Sequence, residues 1–334
     1  MIIIDWLQIN CYSKNYIKNE WNKKYTLKKL DYQTRHFKTV QEIWHKQNLI
    51  GTVVSDPHSK IINANTLLIK FDNKFLYQKN IKWEVDTFLA INNLQLKNIS
   101  RIDIAKDFNA FENNLNPEEL ISKFLSNEYC VKGKSQFKVI GNTNRKNTFE
   151  YLSFGSGTSN VVSYLYNKTK EMKAVKWKPY IFDTWKKNDL DINKDIWRLE
   201  FRITGKAKSL IDSKTGDIDT FSGTDILKPE NIVKTFFANL KHYFAIVIKG
   251  NDSNKARWKN VVLFKKETPT ILLKDLSTKV ESNRSDKIFI KKLYSYGQEV
   301  IQGNIELYQK LEDCFNSFAS SRGLSRWLTE RVYS

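Results

Sequence analysis

The sequence predicts an α+β fold: a largely antiparallel β-sheet with helices packed on one face, followed by a helical C-terminal appendage. Three observations carry this expectation. Several segments alternate apolar and polar residues with period two, the mark of a sheet with one buried face. Short runs of turn residues separate neighbouring segments, as hairpins require. A few stretches place apolar residues at helical spacing behind capping residues.

In chain order, "IIIDWLQINCY" (2–12) is dense in β-branched and apolar residues and reads as a buried strand. Residues 13–35 are basic and polar and read as a loop. "FKTVQEIWH" and "NLIGTVVS" read as paired strands, and "TLLIKFDNKFLYQ" as two short strands around an Asp72-Asn73 turn. "KWEVDTFLAINNL" sets Val85, Phe88 and Leu89 at helical spacing. "SRIDIAKDF" (100–108) alternates as a strand does. In "NPEELISKFLS", Asn116 is a helix N-cap, Pro117 the first helical residue, and Glu118 and Glu119 suit the positive end of the dipole. "NTFEYLSFGSGTSNVVSYLYNK" has the pattern of a hairpin around Gly-Ser-Gly-Thr-Ser, and "DIWRLEFRI" that of a further strand. "PENIVKTFFANLKHYF" is an amphipathic helix on Ile232, Phe236, Leu240 and Tyr243.

Residues 1–250 thus read as one domain. From Asn251 the chain turns polar and basic, and "IFIKKLYSYGQEVI" and "IELYQKLEDCFNSF" make 251–334 a mostly helical region. Within 1–250 an Ile-Asp strand, a hairpin, another strand and a helix occur twice, which suggests pseudo-repeats over 1–98 and 99–250.

The hydrophobic share of 41% and aromatic share of 13% are enough for a core and exclude global disorder. Lys and Arg number 55 against 36 Asp and Glu, and the formal charge of +19 favours a polyanionic partner, nucleic acid above all. No stretch approaches the roughly 20 apolar residues that cross a bilayer, so no membrane partner is expected. "MIII" meets Asp5 at once and does not read as a signal peptide. Cys11, Cys130 and Cys314 are odd in number and widely spaced, which argues against a disulfide framework and for a reducing cytoplasm.

Several common sites are missing. His36, His45, His58 and His242 form neither HxH nor HExxH, and neither a Walker loop nor GxGxxG occurs. What remains is three strands with ionisable residues aimed to one side: Arg101, Asp103 and Asp107; Arg198, Glu200 and Arg202; Tyr164, Tyr166 and Lys168. A solvated sheet face dressed in cross-strand ion pairs explains any one of them. Together they match the needs of metal-assisted phosphoryl transfer. Carboxylates bind a hard divalent ion, and a tyrosine forms a phosphoester that preserves the phosphodiester energy. A phenol of pKa about 10 needs a nearby cation to ionise, which Lys168 could supply, while Arg198 or Arg202 could hold backbone phosphates.

In this order, "IDWLQIN", "SRIDIAKDF", "FGSGTSNVVSYLYNKTKEM" and "IWRLEFRI" resemble the replication-initiation-factor (Rep_trans) family over about residues 3 to 245. These are rolling-circle initiators of plasmids and mobile elements, with related conjugative relaxases. The resemblance implies an HUH-like or RRM-like unit that nicks and rejoins DNA with Mg²⁺ or Mn²⁺ and without a histidine pair. It implies Tyr166 as nucleophile with Lys168 beside it, and Asp103, Glu200 and Asp107 as metal ligands. Arg101, Arg198, Arg202 and Tyr164 would then contact DNA, at a replication or transfer origin. A homodimer and a host helicase are the further partners it brings to mind. Many members carry arginine where this chain has Tyr164, which leaves Tyr164 and Tyr166 both open as nucleophile. Tyr166, which directly precedes Asn-Lys, is the choice. A relaxase with the same chemistry, or a non-catalytic nucleic-acid-binding protein, are the alternatives.

Overall fold

The structure is a computed structural model of the chain. It describes residues 1–13, 21–132, 136–142, 148–204, 209–212, 218–220, 223–254, 257–265 and 271–273. The chain divides into two units, Met1–Leu276 and Ser277–Ser334. The second lies wholly outside the described residues, and with it the expected C-terminal helices.

The first half runs through β1 (Ile2–Ser13), β2 (Thr26–Lys29), β3 (Phe37–His45), β4 (Asn48–Pro57), β5 (Thr66–Phe71), α1 (Asn73–Leu76) and α2 (Ile81–Ile91). Next come β6 (Leu94–Phe108), α3 (Pro117–Leu125), β7 (Tyr129–Val131), β8 (Phe137–Asn142), β9 (Thr148–Phe154) and β10 (Val161–Asn167). Then follow α4 (Lys168–Ala174), α5 (Pro179–Lys187), β11 (Trp197–Thr204), β12 (Ser209–Asp212), β13 (Ile218–Thr220), α6 (Pro229–Tyr243), β14 (Ile246–Ile248) and β15 (Ile271–Leu273). The fold is α+β and is dominated by a ten-stranded antiparallel sheet of order β2-β3-β4-β5-β1-β6-β11-β10-β9-β8. The order reads alike outward from its centre: β1 leads to β5, β4, β3 and β2, and β6 leads to β11, β10, β9 and β8.

Period-two alternation builds the core. Ile4, Leu7, Ile9 and Cys11 of β1, Ile102 and Ile104 of β6, and Leu199, Phe201 and Ile203 of β11 are buried on one face. Val85 and Phe88 of α2, Leu120 and Ile121 of α3, and Phe236 of α6 join the same core cluster. Asn116 caps α3 as the sequence predicts, accepting from Glu118 N at 2.8 Å. Leu263 and Phe264 also join this core, with Phe264 5.0 Å from Phe108, so packing continues past residue 250. A smaller cluster of Met172, Ile181, Trp185 and Ile196 carries α4 and α5, and Trp185 bonds Asp107 on the other, polar face of the sheet. Among the described residues, no helix is long and apolar enough to cross a membrane.

Three local expectations differ from the structure. The Asp72-Asn73 turn does not join two strands: Asp72 caps α1 by accepting from Lys74 N at 2.9 Å, and Phe75 and Leu76 are buried in the core. A side-chain cap and apolar burial outweigh hairpin pairing here. The segment read as a loop contains β2, an edge strand on β3. Its lysines are the charges an edge strand carries against unwanted pairing, and they mask its period. Finally, the strand of "SYLYNK" stops at Asn167, whose side chain accepts from Lys170 N at 3.0 Å and starts α4 at Lys168.

Candidate active site on the polar face of the sheet

The site begins with a bulge. Ile4 pairs with Ile104 and Trp6 with Asp103, so Asp5 is the extra residue in β1. Ile4 and Leu7 both stay in the core, and the two residues between them, Asp5 and Trp6, turn to the polar face. There they join residues of β6, β10 and β11 whose alternation leaves them on the same side.

Arg198 organises this face. Its side chain is 0% exposed. Nε donates to Asp107 Oδ1 at 2.6 Å and Nη2 to Asp107 Oδ2 at 2.8 Å, Nη1 donates to Asp5 Oδ1, and Nη2 also reaches the Tyr77 hydroxyl at 2.8 Å. Trp185 Nε1 donates to Asp107 Oδ2 at 2.7 Å. Asn73 Nδ2 donates to Asp5 Oδ1 at 3.1 Å and the Tyr77 hydroxyl to the same oxygen at 3.3 Å. Burial pushes the Asp5 carboxyl up, but the charges of Arg198 and Lys168 prevail and hold it well below the ordinary range. Arg198 is therefore not placed to hold a backbone phosphate, contrary to the sequence expectation: its side chain is enclosed and each of its three nitrogens donates inside the protein. Asp107 likewise has both oxygens engaged by Arg198 and Trp185, so its geometry is that of an anchor for Arg198 and not of a metal ligand.

The other residues lie around an acidic centre. The Tyr166 hydroxyl donates to Glu200 Oε2 at 2.9 Å. Burial, and then the carboxylates of Asp5 and Asp103, push Glu200 up to about 7. Burial and the Glu200 charge raise the Tyr166 phenol well above its usual value. Asp103, 2% exposed, accepts from Arg101 Nε at 2.9 Å, and burial raises its carboxyl too. Lys168 is buried at the head of α4, with Nζ 2.9 Å from Glu171 Oε2 and 5.4 Å from the centre of the Tyr166 ring. Tyr164 packs with Tyr151 (ring centres 6.2 Å apart) and under Arg202 (5.7 Å), whose Nη2 donates to Gly157 O at 3.4 Å. Tyr166 also lines a cleft of about 800 Å³ with Tyr151, Lys170, Lys173 and Ile140, which opens a route to its ring.

Sequence reasoning missed Asp5, Asn73 and Tyr77, and it read Trp185 as a core or base-stacking ring without its bond to Asp107. Of these only Asp5 left a signal, the Ile-Asp pair shared by "MIIIDWLQIN" and "ISRIDIAKDF". The other three come from helical segments whose side chains reach the sheet through tertiary packing. Among the described residues, no group of three or more His, Cys, Asp and Glu is arranged to hold a metal ion. Asp103 has both oxygens engaged by Arg101, as Asp107 has by Arg198 and Trp185, so Asp5, Asp103 and Glu200 are not arranged as a ready ligand set. Asp5 and Asp103 each raise the Glu200 pKa, which marks a concentration of negative charge on this face.

No family model matches the chain. No curated protein matches it either. Among solved structures it is similar to a rolling-circle replication initiator protein from Geobacillus stearothermophilus, at 15% sequence identity and a TM-score of 0.45, over 78% of this chain and 92% of that one. A likeness at that level carries no assignment of function.

Proposed function

We propose that the protein is a metal-dependent DNA nicking-joining enzyme that initiates rolling-circle replication, with Tyr166 as nucleophile. The observation that supports this best is the Tyr166–Glu200 hydrogen bond of 2.9 Å beside two further carboxylates. A phenol that donates to a buried carboxylate has the geometry of a nucleophile paired with its base.

In this reading Tyr166 Oη attacks a backbone phosphorus as its proton passes to Glu200 Oε2. The Oη–P bond forms, the P–O3′ bond breaks, and the 3′ oxygen leaves and takes up a proton from solvent to give a 3′-OH. The protein keeps the 5′ end as a phosphotyrosine, and the reverse reaction rejoins the strand. Lys168 adds positive field at the Tyr166 ring, and Arg198 fixes Asp5 and Asp107 without touching substrate. Arg101, Arg202 and Tyr164 stand on the same face for contacts to DNA. Mg²⁺ or Mn²⁺ would polarise the scissile phosphate; Asp5, and Asp103 once released by Arg101, would hold it and leave Glu200 as the base.

The test uses supercoiled DNA of the replicon that carries the gene, incubated with the protein and Mn²⁺ and analysed for nicked circles and for protein joined to a 5′ end. Wild type should give both and Tyr166→Phe neither. Equal nicking by the two proteins removes Tyr166 as nucleophile.

A further inference from the structure

The two halves of the sheet can be matched through their registers, outward from the Trp6–Asp103 pair. Two residues beyond Asp103, Ala105 faces Glu200, which faces Tyr164. Two residues beyond Trp6, Gln8 faces Lys70, which faces Thr52. Lys70 thus occupies the position in one half that Glu200 occupies in the other. One row further out, Asp107, Arg198 and Tyr166 correspond to Asn10, Leu68 and Val54. The first half has neither nucleophile nor base at these positions, and it carries a cation where the second half carries its central carboxylate.

That cation is not alone. Lys70 Nζ lies 3.8 Å from the centre of the Trp6 ring, and the Arg101 guanidinium carbon lies 4.2 Å from the same ring. Lys70, Gln8 and Arg101 form one cross-strand row, since Gln8 pairs with both. Arg101 spends one N–H each of Nε and Nη2 on Asp103, which leaves three N–H groups, two of them on Nη1. Among the described residues Lys70 makes no ion pair, and the Trp6 indole N–H is buried without an acceptor. Burial and the Arg101 charge push the Lys70 ammonium below its ordinary value. Two cations that share one indole with donors to spare make a receptor for an anion.

We infer that Trp6, Lys70, Gln8 and Arg101 form a phosphate-binding subsite that seats a backbone phosphate of single-stranded DNA beside the acidic centre. Trp6, Gln8 and Lys70 lie on the half of the sheet that has no nucleophile, and Arg101, on β6, borders it across the seam. The inference rests on the nicking-joining reading for its ligand and deepens it: one half of the sheet holds the strand and the other cuts it.

Binding of a fluorescent single-stranded oligodeoxynucleotide to the full chain in EDTA, across a salt series, tests this without metal or cleavage. Losing one phosphate contact lowers the slope of log K against log salt by about 0.7, which at roughly 0.1 M salt is about a fivefold loss of affinity. Lys70→Gln should show both changes with an unaltered melting curve. Gln8→Glu, which sets a carboxylate between the two cations and keeps the side-chain size, should show at least as large a loss. Wild-type slope and affinity in a folded Gln8→Glu or Lys70→Gln protein overturn the subsite, as does failure of the wild type to bind. A reduced slope in both variants, with no nicking by wild type in the assay above, keeps the subsite and removes the nuclease reading. The opposite pair of results removes the subsite and keeps the nuclease.

Discussion

The Tyr166 hydroxyl donates to Glu200 at 2.9 Å although the two residues are not cross-strand partners. In the register of β10 and β11, Tyr166 faces Arg198, and it is Tyr164 that faces Glu200. The bond is diagonal because Arg198 is drawn away by Asp107 and Asp5, which leaves Glu200 as the polar group within reach of the Tyr166 phenol. Tyr164 turns instead to Tyr151 and Arg202. In the proposed reading this arrangement supplies Tyr166, and not Tyr164, with a base.

Replacing Glu200 by Gln keeps the shape and a hydrogen-bonding oxygen but removes the proton acceptor. General bases contribute about 10²- to 10⁴-fold, so Glu200→Gln should slow nicking by at least about 10²-fold. Oligonucleotide affinity in EDTA should be retained. Tyr164→Phe, by contrast, should keep nicking within about tenfold, because the remaining pair is intact. Initial rates on supercoiled DNA for the three proteins decide this; a Tyr164→Phe protein as inactive as Tyr166→Phe would shift the nucleophile.

Arg198 and Asp107 form an ion pair with side chains 0% and 1% exposed. Removing one member of a buried pair leaves an uncompensated charge and costs about 3–5 kcal/mol. Arg198→Met should therefore lower the urea midpoint strongly. Asp107→Asn in the same chain should return part of the loss, since the double replacement leaves fewer unpaired charges. If Arg198 instead served DNA, Arg198→Met would keep its stability and lose salt slope.

Most strands and the helices α2, α3 and α6 are legible in the sequence because their signals are local: period two, period 3.6, and caps such as Asn116. The site is legible only in part. Asp103, Glu200, Tyr166 and Arg202 sit on regular strands, so alternation alone places them on one face. Asp5 depends on a bulge, which shifts one residue and leaves no trace in composition. Arg198 reads like Arg202 in sequence, two positions apart with the same alternation. What separates them is burial and enclosure by partners distant in the chain, Asp5, Tyr77 and Asp107. Charge patterning identifies a polar face, but not which of its cations are enclosed.

Gly51 lies where β4 meets β5, and an ideal Cβ there would stand 2.3 Å from the Lys70 carbonyl oxygen. The neighbour is backbone held in a sheet ladder and cannot rotate away. Gly51→Ala should force β4 and β5 apart and destabilise by about 1–3 kcal/mol, the usual cost of overpacking. Hydrogen exchange should place the loss in β3, β4 and β5 and leave β9 to β11 protected. Uniform loss across the sheet would mean that its two halves do not open separately.

Cys11 is 0% exposed in β1, and burial pushes its thiol from a usual value near 9 up to about 12. Two results should follow. In the native protein Cys11 should resist alkylation at pH 8 while the partly exposed Cys130 reacts, as read by peptide mapping. The second concerns stability in alkali. Above pH 9 the unfolded chain gives up a thiol proton that the folded chain retains, so the unfolded state binds fewer protons and stability falls as pH rises. The slope from this one group approaches about 1.4 kcal/mol per pH unit until the folded thiol itself titrates. Tyrosines add to the alkaline slope in wild type and in Cys11→Ala alike and cancel between them. Urea midpoints of the two proteins at several pH values above 9 should therefore converge as pH rises, because only wild type carries the thiol term. Parallel curves would mean that Cys11 ionises as readily in the folded chain as in the unfolded one, which its place in β1 does not allow.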